Sequence, residues 1–460
     1  METNDTIAAL ATPPGEGGIS VIRISGENSL TIARRIFHSN LDISSKEPPA
    51  QKVLFGEIRD PETNRVIDEV LITWFKKPKS FTGENVVEIS GHGGTLVSTR
   101  VLELILKQGA RLAEPGEFTR RAFVHGRLDL TQAEAVADLI DAASDRALNS
   151  SVSQLKGGLS KRIGKLLDQL LAVQAQLEAA IDFSEEGLTF QSREITGQQI
   201  EETKKEILTL IHSFRHGKIA REGMRVTLVG KPNVGKSSLL NALMQEDRAI
   251  VTNIPGTTRD TLEERIRIKD IHIVMIDSAG LRDQPEIVEE EGIQRTKNAL
   301  EHSDLALVVF DPSQPVDGND ELLMGEVGDK PKCILLNKSD LEPEWDKGNI
   351  KDFLKDETPI MVSAKTGSGI EDLKDAIYNY AVKGDRQGES IVITRERHRD
   401  HLHKAATALD AAYNSLDSGY SEELIAVDVN LAMEHLGSIL GKTFAEDLLD
   451  KIFGQFCIGK

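Results

Sequence analysis

The residues best suited to chemistry form a loop of eight, Gly230-Lys231-Pro232-Asn233-Val234-Gly235-Lys236-Ser237, between the apolar run RVTLV and the helix-forming SLLNAL. Strand, glycine-bounded loop and helix in that order build a phosphate cradle. The glycines let backbone N–H groups reach the phosphates, Lys236 neutralises β and γ oxygens, and the Ser237 hydroxyl ligates Mg2+. Asn233, Val234, Gly235, Lys236, Ser237 and Ser238 are therefore the expected triphosphate contacts. Two further stretches complete such a site. Thr252, Asn253, Ile254, Pro255, Gly256, Thr257 and Thr258 would line the nucleotide, with a second magnesium hydroxyl from Thr258. Asp277-Ser278-Ala279-Gly280 ends the run IHIVMI and supplies an acidic group near Mg2+ and a glycine N–H that senses the γ-phosphate.

Base identity falls to Asn337-Lys338-Ser339-Asp340. An aspartate there accepts from the guanine ring N–H and exocyclic NH2, donors adenine lacks on that edge, and a wrong base leaves buried polar groups unpaired. Ser363-Ala364-Lys365, after the run IMV, closes the base pocket, so GTP rather than ATP is expected. Hydrolysis is less ordinary. Leu281 follows the DxxG glycine, where a glutamine would orient water, so either another side chain positions water or turnover is slow. Asn233 offers an amide oxygen to a monovalent cation beside the phosphates, and such a cation can replace an arginine finger electrostatically. The run Glu286, Glu289, Glu290 and Glu291 holds a candidate for gripping the water and reads equally as solvated surface.

Such loops need rigid elements behind them. Residues 224 to 380 alternate the apolar runs RVTLVG, IHIVMID, LALVVFD, KCILLN and IMVSA with helical patterns, which predicts a doubly wound parallel sheet. Up to residue 120, β-rich runs such as ISVIRIS and VVEIS alternate with the turns TPPGEGG, TGEN and GHGG, which predicts an α+β domain. From 128 to 215 Leu155, Leu159, Ile163, Leu166, Leu170, Val173, Leu177 and Ile181 recur at threes and fours and share one helical face. Past the polar GDRQGES the spacing returns in Leu402, Ala405, Ala406, Leu409 and Ala412, then Leu424, Val427, Leu431 and Leu436, and the two helical stretches are expected to cover each other's apolar faces. The expected order is an α+β domain over 1–120, a helical domain over 121–219 and 383–460, and a G domain over 220–382 inserted between its two parts.

A chain of 460 residues exceeds a single core. It lacks the ~20 uninterrupted apolar residues of a membrane span, and METNDTIAAL lacks signal-peptide order, so a cytoplasmic location without a membrane partner is expected. Cys333 and Cys457 cannot frame disulfides or a structural zinc by themselves. Cys333 reads as core, and Cys457 reads either as a nucleophile or as a small buried hydrophobe, the commoner role of a free thiol. A net charge of -19 opposes non-specific polyanion binding, so any RNA contact must be local. Arg120-Arg121, Arg221 to Arg225 and RERHRDHLHK at 395–404 could supply it, and each reads also as a solvated helix face.

The segments DTIAALATPPGEGGISVIRISG, SFTGENVVEISGHGG, PGEFTRRAF, LDLTQAEAVADLIDA, the nucleotide motifs and the terminal FCIGK together resemble the tRNA modification GTPase family MnmE, also called TrmE, along almost the whole chain. The resemblance implies a homodimer formed through a tetrahydrofolate-binding N-terminal domain, a helical domain, and an inserted, potassium-activated G domain that itself dimerises. It implies Asn233, Thr252, Ile254 and Thr257 around K+, Ser237 and Thr258 on Mg2+, and Glu289 as the water-positioning glutamate. It implies Arg23, Glu88, Arg127 and Lys460 around a 5-formyl- or 5,10-methylene-type tetrahydrofolate. Arg127 stands where some relatives have lysine, which keeps charge and changes geometry, and Arg23 taken alone reads equally as an edge-strand solubility charge. A flavoprotein partner, MnmG or GidA, is implied in a heterotetramer or larger complex, with FAD present only through that partner. The implied product is a carboxymethylaminomethyl-type group on C5 of the wobble uridine of certain tRNAs. A rival class, the ribosome-assembly switches similar to Era or Der, shares the P-loop, but this sequence carries neither a basic C-terminal RNA module nor a second G domain.

Overall fold

A computed structural model of the chain describes residues 5–39, 50–182, 193–246, 264–276, 297–345, 353–354, 357–383, 392–443 and 446–460. The chain divides into two units, one of Met1–Asp141, Ser151–Leu208 and Asp400–Lys460, the other of Ala142–Ser150 and Thr209–Arg399. Among the described residues no helix is long and apolar enough to cross a membrane.

In the first unit the period-two runs become β1 (Ile7–Leu10), β2 (Ile19–Ser25), β3 (Phe37–His38), β4 (Val53–Arg59), β5 (Val66–Phe75), β6 (Val86–His92) and β7 (Arg111–Leu112). They form one sheet in the order β3-β4-β5-β6-β2-β1-β7, antiparallel except between β1 and β7. Alternation sets the two faces. Val70, Ile72 and Trp74 of β5 turn inward with Ile24, Val87 and Ile89, under helices Ser29–Ile36 and Thr95–Lys107. On the other face Phe55 of β4 and Leu71 of β5 are direct cross-strand partners, exposed at 63% and 45%.

The helical part of this unit begins with local chemistry. Asp129 caps helix Leu130–Ile140 in a reciprocal box with Gln132, which is what the D-L-T-Q spacing specifies. Leu159, Ile163, Leu166, Leu170, Val173 and Leu177 are buried along helix Gly158–Asp182. Leu155 belongs to the preceding helix, Asp145–Leu155, because Gly157 turns the chain at φ +79°. Leu402, Ala405, Ala406, Leu409 and Ala412 are buried as expected, but the next helix, Glu422–Leu440, corrects its reading. Leu424, Val427 and Leu431 are exposed, and Ile425, Ala426, Val429, Ala432 and Leu436 face inward. Two apolar stripes compete on this helix; the one carrying alanines lets the axis approach helix Gly158–Asp182 more closely and wins the packing.

The second unit holds β8 (Met224–Val229), β9 (Glu264–Ile268), β10 (Ile271–Ile276), β11 (Leu305–Phe310), β12 (Lys332–Leu336) and β13 (Ile360–Met361), in the order β13-β12-β11-β8-β10-β9. All neighbours are parallel except β9 and β10, so the expected parallel sheet gains an antiparallel edge strand, ERIRI. Its hairpin turns through Lys269 at φ +54°, the positive value such tight turns require. β11 is buried at every residue because both faces are covered. Leu307 and Val309 pack with Leu239, Leu243 and Ile377, and Val308 and Phe310 pack with Val327 and Trp345. Cys333 of β12 is half-buried against the first of these cores.

Candidate functional site

β8 carries the chain into the phosphate loop. Gly230 passes the Val309 carbonyl so closely that a Cβ would stand 2.5 Å from its oxygen. Asn233 and Gly235 take φ of +65° and +98°, and this turn starts helix Lys236–Glu246 at the lysine itself. Ser237 and Ser238 thereby sit in the first helical turn, where the helix dipole favours anions. The Lys236 Nζ donates to the carbonyls of Gly230 and Lys231, both at 2.8 Å. Burial pushes its ammonium down to about 8, and an anion bound there would restore the charge. Lys231 points elsewhere, its Nζ 2.8 Å from Asp320 and 3.0 Å from Asp317, the capping pair of helix Gly318–Val327.

Asn337, buried just past β12, ties this loop to the next two. Its Nδ2 donates to the Val234 carbonyl at 2.8 Å, and its Oδ1 accepts from the Ala364 N–H at 3.2 Å. A Cβ on Gly235 would collide with that same Nδ2. The Ser363 hydroxyl donates to Asp340 Oδ1 at 2.7 Å and holds that carboxyl below the ordinary carboxylate range. The exposed Lys365 places its Nζ 4.0 Å from Asp340 Oδ2. Lys338, at φ +63°, sends its Nζ to Asp311, 2.6 Å away. Burial would raise the Asp311 carboxyl, but hydrogen bonds from Lys338 and Ser313 outweigh it and hold the group low. Of the expected nucleotide residues the structure thus joins Val234, Gly235, Asn337 and Ala364, and Asp340 with Ser363 and Lys365, while Lys236 bonds within its own loop and Lys338 turns to Asp311. Residues 252–258, Asp277, Ser278, Ala279, Gly280 and Glu289 lie outside the described residues.

The first unit carries a second constellation. Arg23 and Glu88 are direct partners on β2 and β6, with Nε and Nη2 at 2.9 and 2.8 Å from Oε1. The rings of Phe81 and Phe118 flank the guanidinium at 5.1 and 5.6 Å. Since β2 lies inside the sheet, the edge-strand reading of Arg23 is corrected. Its Nη1 is buried without a hydrogen-bond partner among the described residues, a donor available to a ligand. Nearby, the Phe118 N–H donates to the Lys460 carbonyl at 3.0 Å, and Gly459 fits flush against the Leu10 carbonyl. Arg127 Nε donates to the Ser80 carbonyl at 3.1 Å, one residue from Phe81. Arg23, Glu88, Arg127 and the backbone of Lys460 are therefore all linked through the Phe81 and Phe118 segments. Cys457 is exposed, which corrects its reading as a buried hydrophobe.

Arg121 answers to neither of its two readings. It is buried, donating to Asp5, Glu84 and Glu117, while Arg111 forks onto Glu117 and also meets Asp5. Ser25 donates to Glu84 at 2.6 Å and completes the cluster. Burial would raise the Glu117 carboxyl, yet the two arginines hold it below the ordinary range.

A family model described as the MnmE helical domain matches residues 130–457, and one described as the GTP-binding protein TrmE N-terminus matches residues 6–127. The tRNA modification GTPase MnmE of Natranaerobius thermophilus is 44% identical over 459 residues, covering 100% of both chains. That of Clostridioides difficile is 44% identical over 461 residues, again 100% of both. The chain belongs to the MnmE family of tRNA modification GTPases. Among solved structures, the G domain of the T. maritima FeoB iron transporter matches 34% of this chain and 98% of its own at 29% identity, with a TM-score of 0.26.

Two acidic residues that pair with lysines of these loops belong to none of the motifs. Asp311 and Asp320 follow β11 and hold Lys338 of the expected base loop and Lys231 of the expected phosphate loop. The available signal was their place: ligands of doubly wound sheets bind at the carboxyl ends of the strands, and the run LALVVFD ends there.

Proposed function

We propose that this chain hydrolyses GTP with Mg2+ at the P-loop and uses the cycle to drive C5 modification of the wobble uridine of certain tRNAs. The observation that carries the reading is the Asn337 amide, which couples the Val234 carbonyl of the phosphate loop to Ala364 of the base loop in a chain of the MnmE family. Asn233 to Ser238 would hold the phosphates, with Ser237 and Thr258 on magnesium, which supplies charge neutralisation when bound. Asn233, Thr252, Ile254 and Thr257 would surround K+, and Glu289 would hold the attacking water. Asn337, Asp340 and Ser363 to Lys365 would read guanine. The G domain is taken to sit within the helical domain, a reading supported by the placement of Thr209–Arg399 between stretches of the first unit.

On the first unit, Arg23, Glu88, Arg127 and Lys460 would hold a tetrahydrofolate, which supplies a one-carbon unit. The Nη1 of Arg23, without a partner among the described residues, suits a carboxylate or a ring acceptor, and Glu88 suits pterin N–H donors. The exposed Phe55–Leu71 patch supports a homodimer through this sheet. A flavoprotein partner of the MnmG type, bringing FAD, would act with it in the cytoplasm. The test is nucleoside mass spectrometry of bulk tRNA from cells lacking the protein. A C5-substituted wobble uridine should vanish, returning with the intact chain and not with Lys236→Ala. Unchanged tRNA with accumulating ribosomal subunits would replace this reading by an assembly switch.

A further inference from the structure

We propose that Asp320 is a positioning residue for the phosphate loop, which it holds in its ligand-ready shape through Lys231. The inference rests on reading Gly230 to Ser237 as that loop. Lys231 Nζ lies between two carboxylates, 2.8 Å from Asp320 Oδ2 and 3.0 Å from Asp317 Oδ2. Asp320 is 3% exposed and Lys231 19%. The same Asp320 oxygen accepts the Asp317 N–H at 3.1 Å, and Asp317 Oδ1 accepts the N–H groups of Asn319 and Asp320. The two residues that open helix Gly318–Val327 thus hold each other and the lysine. A buried carboxylate keeps its counter-charge, so this ammonium is committed to the protein and does not serve a phosphate.

What the pair fixes is backbone. The Lys231 carbonyl is one of the two on which the Lys236 ammonium rests, and Gly230 just before it is pressed against the Val309 carbonyl. The chain then turns through Asn233 at φ +65°, a left-handed conformation that costs an ordinary side chain energy and persists only where its surroundings impose it. Those surroundings are two ties, one on each side of the turn. Beyond it the Val234 carbonyl accepts from Asn337, and before it Lys231 is fastened to helix Gly318–Val327. A loop already held in its bound shape loses little freedom when a ligand arrives. With the Lys231 tie cut, ordering the loop falls to the ligand, and the loss is confined to nucleotides that carry the β-phosphate which Lys236 and the loop serve. GMP has no β-phosphate and is the internal control.

The test is calorimetric titration of the full chain with GDP, with GMP affinity read by competition, alongside melting curves of the nucleotide-free protein. Lys231→Met keeps the helix cap but removes the ammonium, and GDP should bind about tenfold more weakly, as loss of a charged hydrogen bond does, while GMP shifts less than about twofold. This variant also leaves Asp320 buried without its cation and should melt several degrees lower. Adding Asp320→Asn removes that buried charge, so the double variant should melt nearer the wild type and still bind GDP about tenfold more weakly. Lys231→Arg, which can span the same two carboxylates, should retain most of the affinity. Should Lys231→Met fail to fold, the double variant alone carries the comparison. Wild-type GDP affinity in Lys231→Met overturns the proposal, as does an equal loss for GMP. So does affinity that recovers in the double variant together with its melting temperature, the behaviour of a residue that only stabilises the fold. A wild-type chain that binds no GDP would instead sink the nucleotide-site reading itself.

Discussion

Burial holds the Lys236 ammonium near 8, inside the range in which nucleotide binding is assayed. The bound phosphates require the charged form, and the empty site loses it as pH rises through about 8, so binding must take up a proton above that point. The GDP dissociation constant should weaken about tenfold between pH 7 and pH 9, a dependence absent from Lys236→Ala; a flat profile in the wild type would reject the assignment. For the empty fold the sign is opposite. A lysine depressed from 10.5 contributes stability above that value and loses it as pH falls through about 8. Lys236 was legible because its glycines and neighbours recur at fixed spacing. Asp311 and the exposure of Cys457 were not, since a lone aspartate after a strand and a thiol near a chain end have no spacing signature, and burial is settled by tertiary contacts.

Among elements, the strands with continuous apolar character and the helices with a single stripe were readable, and errors arose where two local solutions compete. Helix Glu422–Leu440 offers two apolar faces, and the choice between them lies with its neighbour. Residues 264–268 look polar because an edge strand keeps one face wet. Adjacent arginines on helix Glu117–Val124 show how far burial divides equal residues. Arg121→Ala leaves the buried Glu84 without its arginine and Glu117 with Arg111 alone, and should cost ~3–5 kcal/mol in chemical denaturation. Arg120→Ala removes only a pair with the exposed Asp450 and should cost under about 1 kcal/mol. Equal losses would mean that the buried cluster is not what secures this helix.

At the scale of the molecule, the sheet face bearing Phe55 and Leu71 is the place to test self-association. Glu57 and Glu69 already oppose each other at one end of that patch, so a further carboxylate at its centre is poorly tolerated in a paired surface. Phe55→Glu should convert the proposed dimer to a single-chain mass in sedimentation analysis without altering GDP binding; an unchanged mass would move the interface elsewhere. Changes of secondary-structure class along the chain were legible from changes in periodicity. The two helical stretches were expected to cover each other's apolar faces, and residues 400–460 do join Ser151–Leu208 in the first unit, helix Glu422–Leu440 lying on Gly158–Asp182; which stripe makes that contact was not legible, because it is a matter of tertiary fit. The tie between Lys460, Phe118 and Leu10 also bears on how the protein is born. At roughly 5–20 residues per second, β1 leaves the ribosome tens of seconds before the partner that closes over it. The opening domain must wait, unfinished, through synthesis of the whole second unit, so a truncated translation product would be marked by an open pocket that chaperones and proteases can recognise.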